Sequence, residues 1–407
     1  MLVTRRDIFP ADHGGAVAIE RLAWGLSRAY GRVWLVTDDR RRYFTYLDGV
    51  RTELAYPRRY HMGAPRSLLR GWMRGRGVPA SEAFLYTPAC DRSLTRRALF
   101  VARRHGVTAF EGIYPAFGLP CLACRAALGG VVVQIEHNVE YHRLEEQAPT
   151  LSRRGARFVR GLELRVCAAV DAVVTVSDAD RERLVADGIR ADRVHTIPHG
   201  VDLSAFDGPP ADVRARLGLA PSTRLLVYHG IYSYAPNREA MEFMAARILP
   251  ALRAAGVSAK VVAIGREPPS APLDADIIFT GPVDSVAPWL LAADVAVVPL
   301  RSGGGTRMKV LDYFAARLPV VSTGKGVEGI PITPGREYVR ADEPDRFAAE
   351  VARMLTQAGE AAAVAARGRA FVERLDWLEI ARRHAALLES LGAGAKRPQR
   401  AAVGAVS

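Results

Sequence analysis

Acidic residues are scarce in this chain. It holds 43 Asp and Glu against 56 Lys and Arg, which leaves a formal charge of +13. That balance favours acidic ligands, anionic membrane surfaces or nucleic acid, without choosing among them. Most of it is arginine in an alanine-rich chain, so part is compositional background. Cysteine is rarer still: Cys90, Cys121, Cys124 and Cys167. Cys121 and Cys124 form a CxxC, but no second pair or nearby histidine completes a zinc site. They sit in LPCLACRAAL, which reads as an apolar helix with buried free thiols, so a reducing, cytosolic compartment is expected. No run approaches the ~20 apolar residues of a membrane-spanning helix. The opening MLVTRRDIFPADHGG has no apolar signal core. HExxH, GxSxG, paired CxxC and Walker lysine motifs are all missing. No GxGxxG precedes Asp38, so that residue at the end of a strand does not make a dinucleotide fingerprint. Asp38-Asp39 lacks the spacing of a divalent metal site. No metal and no cofactor are expected. Nucleic acid is not expected either, because no aromatic-rich motif accompanies the charge.

What the chain does have is one stretch of concentrated signal, ADVAVVPLRSGGGTRMKVLDYFAARLPVVSTGKGVEGI, from Ala293 to Ile330. Val295 to Pro299 reads as a buried strand. Arg301 to Thr306 is a loop with little side chain, and Gly303, Gly304 and Gly305 form its centre. Met308, Leu311, Phe314 and Ala315 follow at helical spacing, so a helix is predicted over Thr306 to Arg317. Pro319 ends it, and Val320-Val321 opens another strand. A glycine loop that runs into a helix N-terminus presents bare N–H groups, a ready site for a phosphate. Arg307 and Lys309 put positive charge in the first turn, where the macrodipole is already positive. Asp312 lies one turn on. The blander reading is a glycine turn with a solvated basic flank.

At 407 residues there is room for two domains. Both halves alternate strand and helix signals, which predicts a parallel sheet in each. In the first half, strands are predicted at Leu2 to Phe9, Val33 to Thr37, Thr108 to Ile113, Val131 to Ile135, Ala172 to Val176 and Val194 to Ile197. Gly14-Gly15 starts a helix that runs through about Tyr30. Pro209-Pro210 is a credible linker. The second half places strands at Leu225 to His229, Lys260 to Ile264, Asp276 to Phe279, Val295 to Pro299 and Val320 to Ser322. Helices are predicted at Asn237 to Ala255 and Pro344 to Thr356, with a last one over about Ala365 to Leu391 that carries Trp377. The remaining tail reads as disordered.

Ligands of open α/β sheets bind beyond the carboxyl ends of strands. Polar or glycine-rich groups fall there repeatedly: Asp12-His13-Gly14-Gly15, Glu136-His137-Asn138, Ser177-Asp178, His199-Gly200, Gly230-Ile231-Tyr232 and Gly265-Arg266. Two sheets with loaded ends imply a cleft between two domains. His137 is either a structural histidine or a functional one lifted by its place at a strand end. The window Arg51–Ala80 carries seven arginines against Glu53. In SLLRGWMRGRG, Leu68, Leu69, Trp72 and Met73 share a predicted helical face opposite Arg66, Arg70 and Arg74. That suits an anionic membrane or an acidic acceptor. An ordinary solvated basic face is the alternative.

These pieces together resemble the retaining nucleotide-sugar glycosyltransferases of family four, and their glycine-rich GGGTR subgroup in particular. The resemblance rests on Gly14-Gly15, EHNVEYHRLE from Glu136, DAVVTVSDADRERL from Asp171, IPHGVD from Ile197, GIYSYAPNREA from Gly230 and PLRSGGGTRMKVLDYFAARLPVVST from Pro299. It implies a GT-B fold, α/β with two Rossmann-like parallel-sheet domains facing across a cleft. Residues 1–203 would face the acceptor and 204–370 would hold the donor nucleotide. Residues 371–391 would cross back as a helix, ahead of a disordered tail, 392–407. The implied reaction moves a sugar from a nucleotide-diphosphate donor to a glycan, lipid-linked or small-molecule acceptor. It does so with retention and without a metal. The resemblance gives Asp312 the ribose hydroxyls, the place usually held by the second glutamate of a Glu-x7-Glu motif. Gly304 takes the place of the first. The usual diphosphate arginine and lysine read Ile231 and Asn237, so Arg307, with Lys309, is expected to stand in. His137 matches the residue that contacts the donor sugar; Gly14 and Gly15 match the loop that approaches the diphosphate. Gly230, Asn237, Gly303, Gly305 and Thr306 complete the expected donor site. A non-catalytic partner on this fold and a nucleotide-sugar epimerase are the other readings.

Overall fold

A computed structural model describes residues 1–5, 8–11, 13–147 and 150–393. Two sheets organise it. The first contains β1 (Leu2–Thr4), β2 (Val33–Thr37), β3 (Arg42–Leu47), β4 (Val50–Ala55), β5 (Ala109–Ile113), β6 (Val131–Glu136), β7 (Ala172–Thr175) and β8 (Val194–Thr196), in the order β4-β3-β2-β1-β5-β6-β7-β8. The second contains β9 (Arg224–His229), β10 (Ala259–Ile264), β11 (Ile277–Gly281), β12 (Val295–Val298), β13 (Val320–Ser322) and β14 (Val339–Arg340), in the order β11-β10-β9-β12-β13-β14. Every pairing in the second sheet is parallel. The central strands, such as Val295–Val298, are buried throughout, as runs of valine covered by helices on both faces should be.

The expectation of a wholly parallel first sheet needs correction. β2 pairs β3 and β3 pairs β4 antiparallel. The signal was present: Asp48-Gly49 is a two-residue hairpin turn, with both residues at positive φ. It places Arg51, taken above for the start of a basic window, on an exposed edge strand. The opening strand also ends at Thr4 rather than Phe9. Among the other strand-end groups, Asp12 lies outside the described residues, as does the tail from residue 394.

Further along, the basic window forms a helix at Arg66–Gly75, but its apolar residues do not share one face. Leu69 and Met73 are buried, whereas Leu68 and Trp72 are exposed. The helix after β9 runs from Ala235 to Ala254, close to the predicted Asn237 to Ala255, but a π-helical turn, Met244–Ile248, interrupts its α-helical parts, Ala235–Phe243 and Leu249–Ala254. The last predicted helix is two, Ala358–Val372 and Trp377–Ser390. Asp376 separates them because its carboxylate caps Leu378 N–H, which starts a new helix. The Trp377 helix packs back onto the Gly14–Ala29 helix of the first half. A Cβ at Gly25 would sit 2.7 Å from Ala381 Cβ, so the two backbones meet closely there.

Where the chain passes between the two sheets it does so twice, side by side. Val201 N–H donates to Leu375 O at 2.9 Å, and Trp377 N–H donates to Val201 O at 3.3 Å. Gly200 lies against the Trp377 indole, where a Cβ would come within 2.7 Å of the ring.

Candidate functional site

The carboxyl ends of β1, β5 and β6 supply one wall. His13 caps the Gly14 helix, with Nδ1 accepting from Ala16 N–H at 3.1 Å. The two glycines after it allow close approach from both sides. A Cβ at Gly14 would touch Met308 Sδ at 3.4 Å, and one at Gly15 would stand 2.7 Å from the Tyr114 hydroxyl. Tyr114 follows β5 with φ +74 and ψ 154, a region other residues leave to glycine. Its ring meets His137 edge-on at 5.3 Å, and His137 meets His199 at 4.9 Å. His137 is 7% exposed and its Nδ1 has no hydrogen-bond partner. Burial, then His199 and His384, pushes its pKa well down, so the ring is neutral at physiological pH. Sequence reasoning missed Tyr114, because backbone strain at a strand end leaves no mark in composition.

The opposite wall is the glycine loop and the Met308–Ala315 helix, shorter than the predicted Thr306–Arg317 because Arg307 is its N-cap. Gly303 and Gly305 have φ of +96 and +81. On one side Gly303 lies against Pro236 and the Tyr234 hydroxyl; on the other, a Cβ at Gly305 would overlap Asn138 Oδ1. Asn138 Nδ2 donates to Glu140 Oε1 at 3.0 Å, which fixes that amide across the cleft. Thr306 Oγ1 is buried without a partner. The two walls therefore meet at Gly14–Met308 and at Asn138–Gly305, and the expected donor residues of both halves face one cleft.

Two cations lie there. Arg307 is 7% exposed, and its guanidinium donates to Gly304 O and, at 2.8 Å, to Gly303 O. The nearest carboxylate oxygen, Glu328 Oε2, is 3.7 Å away, and Nε has no partner. Burial lowers the Arg307 pKa below its ordinary value. Lys309 Nζ donates to Asn237 Oδ1 at 2.9 Å and sits 3.7 Å above the Tyr228 ring centroid. Burial, then Arg307, drives its pKa well down. Asn237 is fully committed. It accepts from Tyr228 Oη at 2.5 Å and donates to Ile231 O at 2.9 Å, and it presses so close to Gly230 that a Cβ there would lie 2.7 Å from Nδ2. Lys309 is thereby tied to the residue that stands where the resemblance places a diphosphate lysine. Among the described residues no carboxylate pairs with it. Two buried cations at a helix N-terminus are costly unless an anion joins them.

One turn into the helix stands Asp312, half-buried, with Oδ2 3.3 Å from His229 Nε2. Neither Ile231 nor Gly304 brings charge to the cleft. No group of three or more His, Cys, Asp or Glu among the described residues is arranged to hold a metal ion.

Comparison with known proteins bears on this geometry. A model of glycosyltransferase family 4 matches residues 13–205, and one of glycosyl transferases group 1 matches residues 223–357. A Mycobacterium tuberculosis protein, a GDP-mannose-dependent alpha-(1-6)-phosphatidylinositol dimannoside mannosyltransferase, is 34% identical over 174 residues. That stretch covers 40% of this chain and 44% of that protein, so this chain matches less than half of the relative's length. Sucrose-phosphate synthase from Thermosynechococcus elongatus has the same fold, with TM-score 0.68 at 18% identity over 96% of this chain and 98% of that one. So does Anabaena HepE in complex with UDP-glucose, with TM-score 0.58 at 15% identity over 73% and 82% of the two chains.

Proposed function

Given that the chain belongs to glycosyltransferase family 4 and has the GT-B architecture, we propose that it is a retaining, metal-independent enzyme. It transfers a sugar from a nucleotide-diphosphate donor to a glycan, lipid-linked or small-molecule acceptor. The observation that carries this reading is the pair of buried cations, Arg307 and Lys309, left without a bonded carboxylate beside the three-glycine loop. Departure of the nucleoside diphosphate builds negative charge at the phosphates. Loop amides, the helix N-terminus and the Lys309 ammonium would meet it there. The Arg307 fork would first have to exchange a loop carbonyl for a phosphate oxygen. Neutral His137, on the opposite wall, would contact the donor sugar, and Asp312 would take the ribose hydroxyls. The acceptor hydroxyl would attack from the face the diphosphate leaves, and the leaving phosphate would receive its proton.

Relatives divide over the base: GDP in the mycobacterial enzyme's name, UDP in the Anabaena complex. The donor screen must therefore span both. Thermal melting against UDP-, GDP- and ADP-sugars should single out one series by a rise in Tm that grows with concentration. Hydrolysis or transfer of that sugar would then establish catalysis. A non-catalytic partner on the same fold is the second reading, favoured by the engagement of Arg307 with its own loop carbonyls. Binding without turnover against a panel of acceptors would decide for it. At the Arg66–Gly75 helix, Met62, Leu68 and Trp72 are exposed among the exposed Arg58, Arg59, Arg70 and Arg74. They would give such an enzyme a peripheral foothold on an anionic membrane. No helix among the described residues is long and apolar enough to cross one.

A further inference from the structure

Aspartate at position 312 is one methylene shorter than the glutamate that the resemblance places there, so its carboxylate needs holding. We propose that His229 is the positioning residue that fixes Asp312 for the ribose of the donor. The inference rests on the donor-binding reading above.

His229 ends β9 at the floor of the cleft. Three contacts immobilise it. Its backbone N–H donates to Tyr313 Oη at 3.0 Å, and its ring meets the Tyr313 ring edge-on at 5.2 Å. The third involves Nε2, 3.3 Å from Asp312 Oδ2. That nitrogen is sealed from solvent and makes no well-aligned hydrogen bond with any group. A buried ring nitrogen without a partner costs free energy, and with its proton on Nε2 the ring has the Asp312 carboxylate 3.3 Å away to relieve it. Turning the carboxylate toward Nε2 forms the bond through Oδ2 and leaves Oδ1 to accept from a ribose hydroxyl. Tyr313 is buried and sits beside Asp312 in the same helix, so strand end, helix and carboxylate are braced as one unit. Without His229 the short aspartate is free to rotate away, and affinity for the hydroxyls falls while affinity for the diphosphate does not.

The test is a binding cycle by calorimetry, with UDP, GDP and ADP as probes and the 2′,3′-dideoxy form of whichever binds tightest. Wild-type protein should prefer the ribonucleotide over its dideoxy form by about tenfold. His229→Phe should remove most of that preference by weakening the ribonucleotide alone. His229→Gln, which keeps a donor near the Nε2 position, should restore it in large part. The double variant His229→Phe, Asp312→Asn should be no weaker than Asp312→Asn alone, because both changes break one contact. Equal weakening of both nucleotides by His229→Phe, or full additivity in the double variant, overturns the inference and leaves donor binding intact. If wild-type protein binds none of UDP, GDP and ADP, the donor-binding reading falls, and this inference with it. Melting curves of each variant separate lost folding from lost recognition; if His229→Phe does not fold, the Gln and Asn variants carry the cycle.

Discussion

Burial and a neighbouring guanidinium both oppose a charge on Lys309, and its lowered pKa has a consequence in solution. A bound diphosphate favours the ammonium, so nucleotide binding should be accompanied by proton uptake. Titration calorimetry in buffers of different ionisation enthalpy reads this directly. The sign follows from the direction of the shift: affinity falls as pH rises through the depressed value, well before an ordinary lysine would titrate. Lys309→Met should abolish the uptake and weaken the nucleotide at least about tenfold. Arg307→Ala should lower turnover by about a hundredfold or more, the usual effect of removing one donor to a developing anion, with little change in melting temperature. Near-normal turnover would remove Arg307 from the mechanism. Both cations stood out in the sequence because basic residues are out of place in the first turn of a helix. Their partners did not. Asn237 is expected in the donor site as a departure from lysine, but nothing in the order of residues shows that its amide receives Lys309 from 72 positions away.

Among elements, those with a single strong signal were legible. Val33–Thr37, Val320–Ser322 and Pro344–Thr356 lie where apolar runs and a proline N-terminus put them. Errors came where two signals competed. The Asp48-Gly49 hairpin was hidden because the charge of Arg51 outweighed the alternation around it, and Asp376 was hidden inside a continuous helical period. The glycine loop is an element whose shape is also testable. Gly305 has φ +81 and abuts Asn138. Gly305→Ala should destabilise by about 1–2 kcal/mol for the backbone alone. It should also push the two walls apart, so that nucleotide affinity drops more than the melting temperature does. Gly256→Ala, also at positive φ but with nothing within 4 Å, is the matched control for strain without crowding.

At the scale of the molecule, the first-half histidines tie the cleft to the last helix. His199 sits between His137 and Trp377, and His384 of the Trp377 helix reaches Glu111 at 3.3 Å. Burial, then His384, lowers the His199 pKa to about 4. The unfolded chain takes a proton there near the ordinary 6.5 while the folded one refuses it. Stability from this group is therefore complete above pH 6.5 and is lost as pH falls toward 4. The buried carboxyls Glu136 and Glu163, raised by burial, act in the opposite sense. The contrast between wild type and His199→Gln isolates the histidine: the variant's melting temperature should fall less over that acid window. None of this was legible in the sequence, since the four groups come from strands and a helix far apart in the chain.

The two passages between the sheets, bonded to each other at Val201, Leu375 and Trp377, bear on how the halves can move. A single strand would act as a swivel, free to twist in any direction. Two strands pinned together and wedged by an indole behave as a leaf spring, which flexes about one axis and resists torsion. Were the halves to open for a substrate, opening and closing would retrace one path, with Gly14 against Met308 in the closed form. Replacing the wedge, as in Trp377→Ala, should cost about 3–5 kcal/mol of stability. Beyond that loss, it should let the halves misalign. Small-angle scattering would then record a broader spread of dimensions at temperatures where the variant is still fully folded.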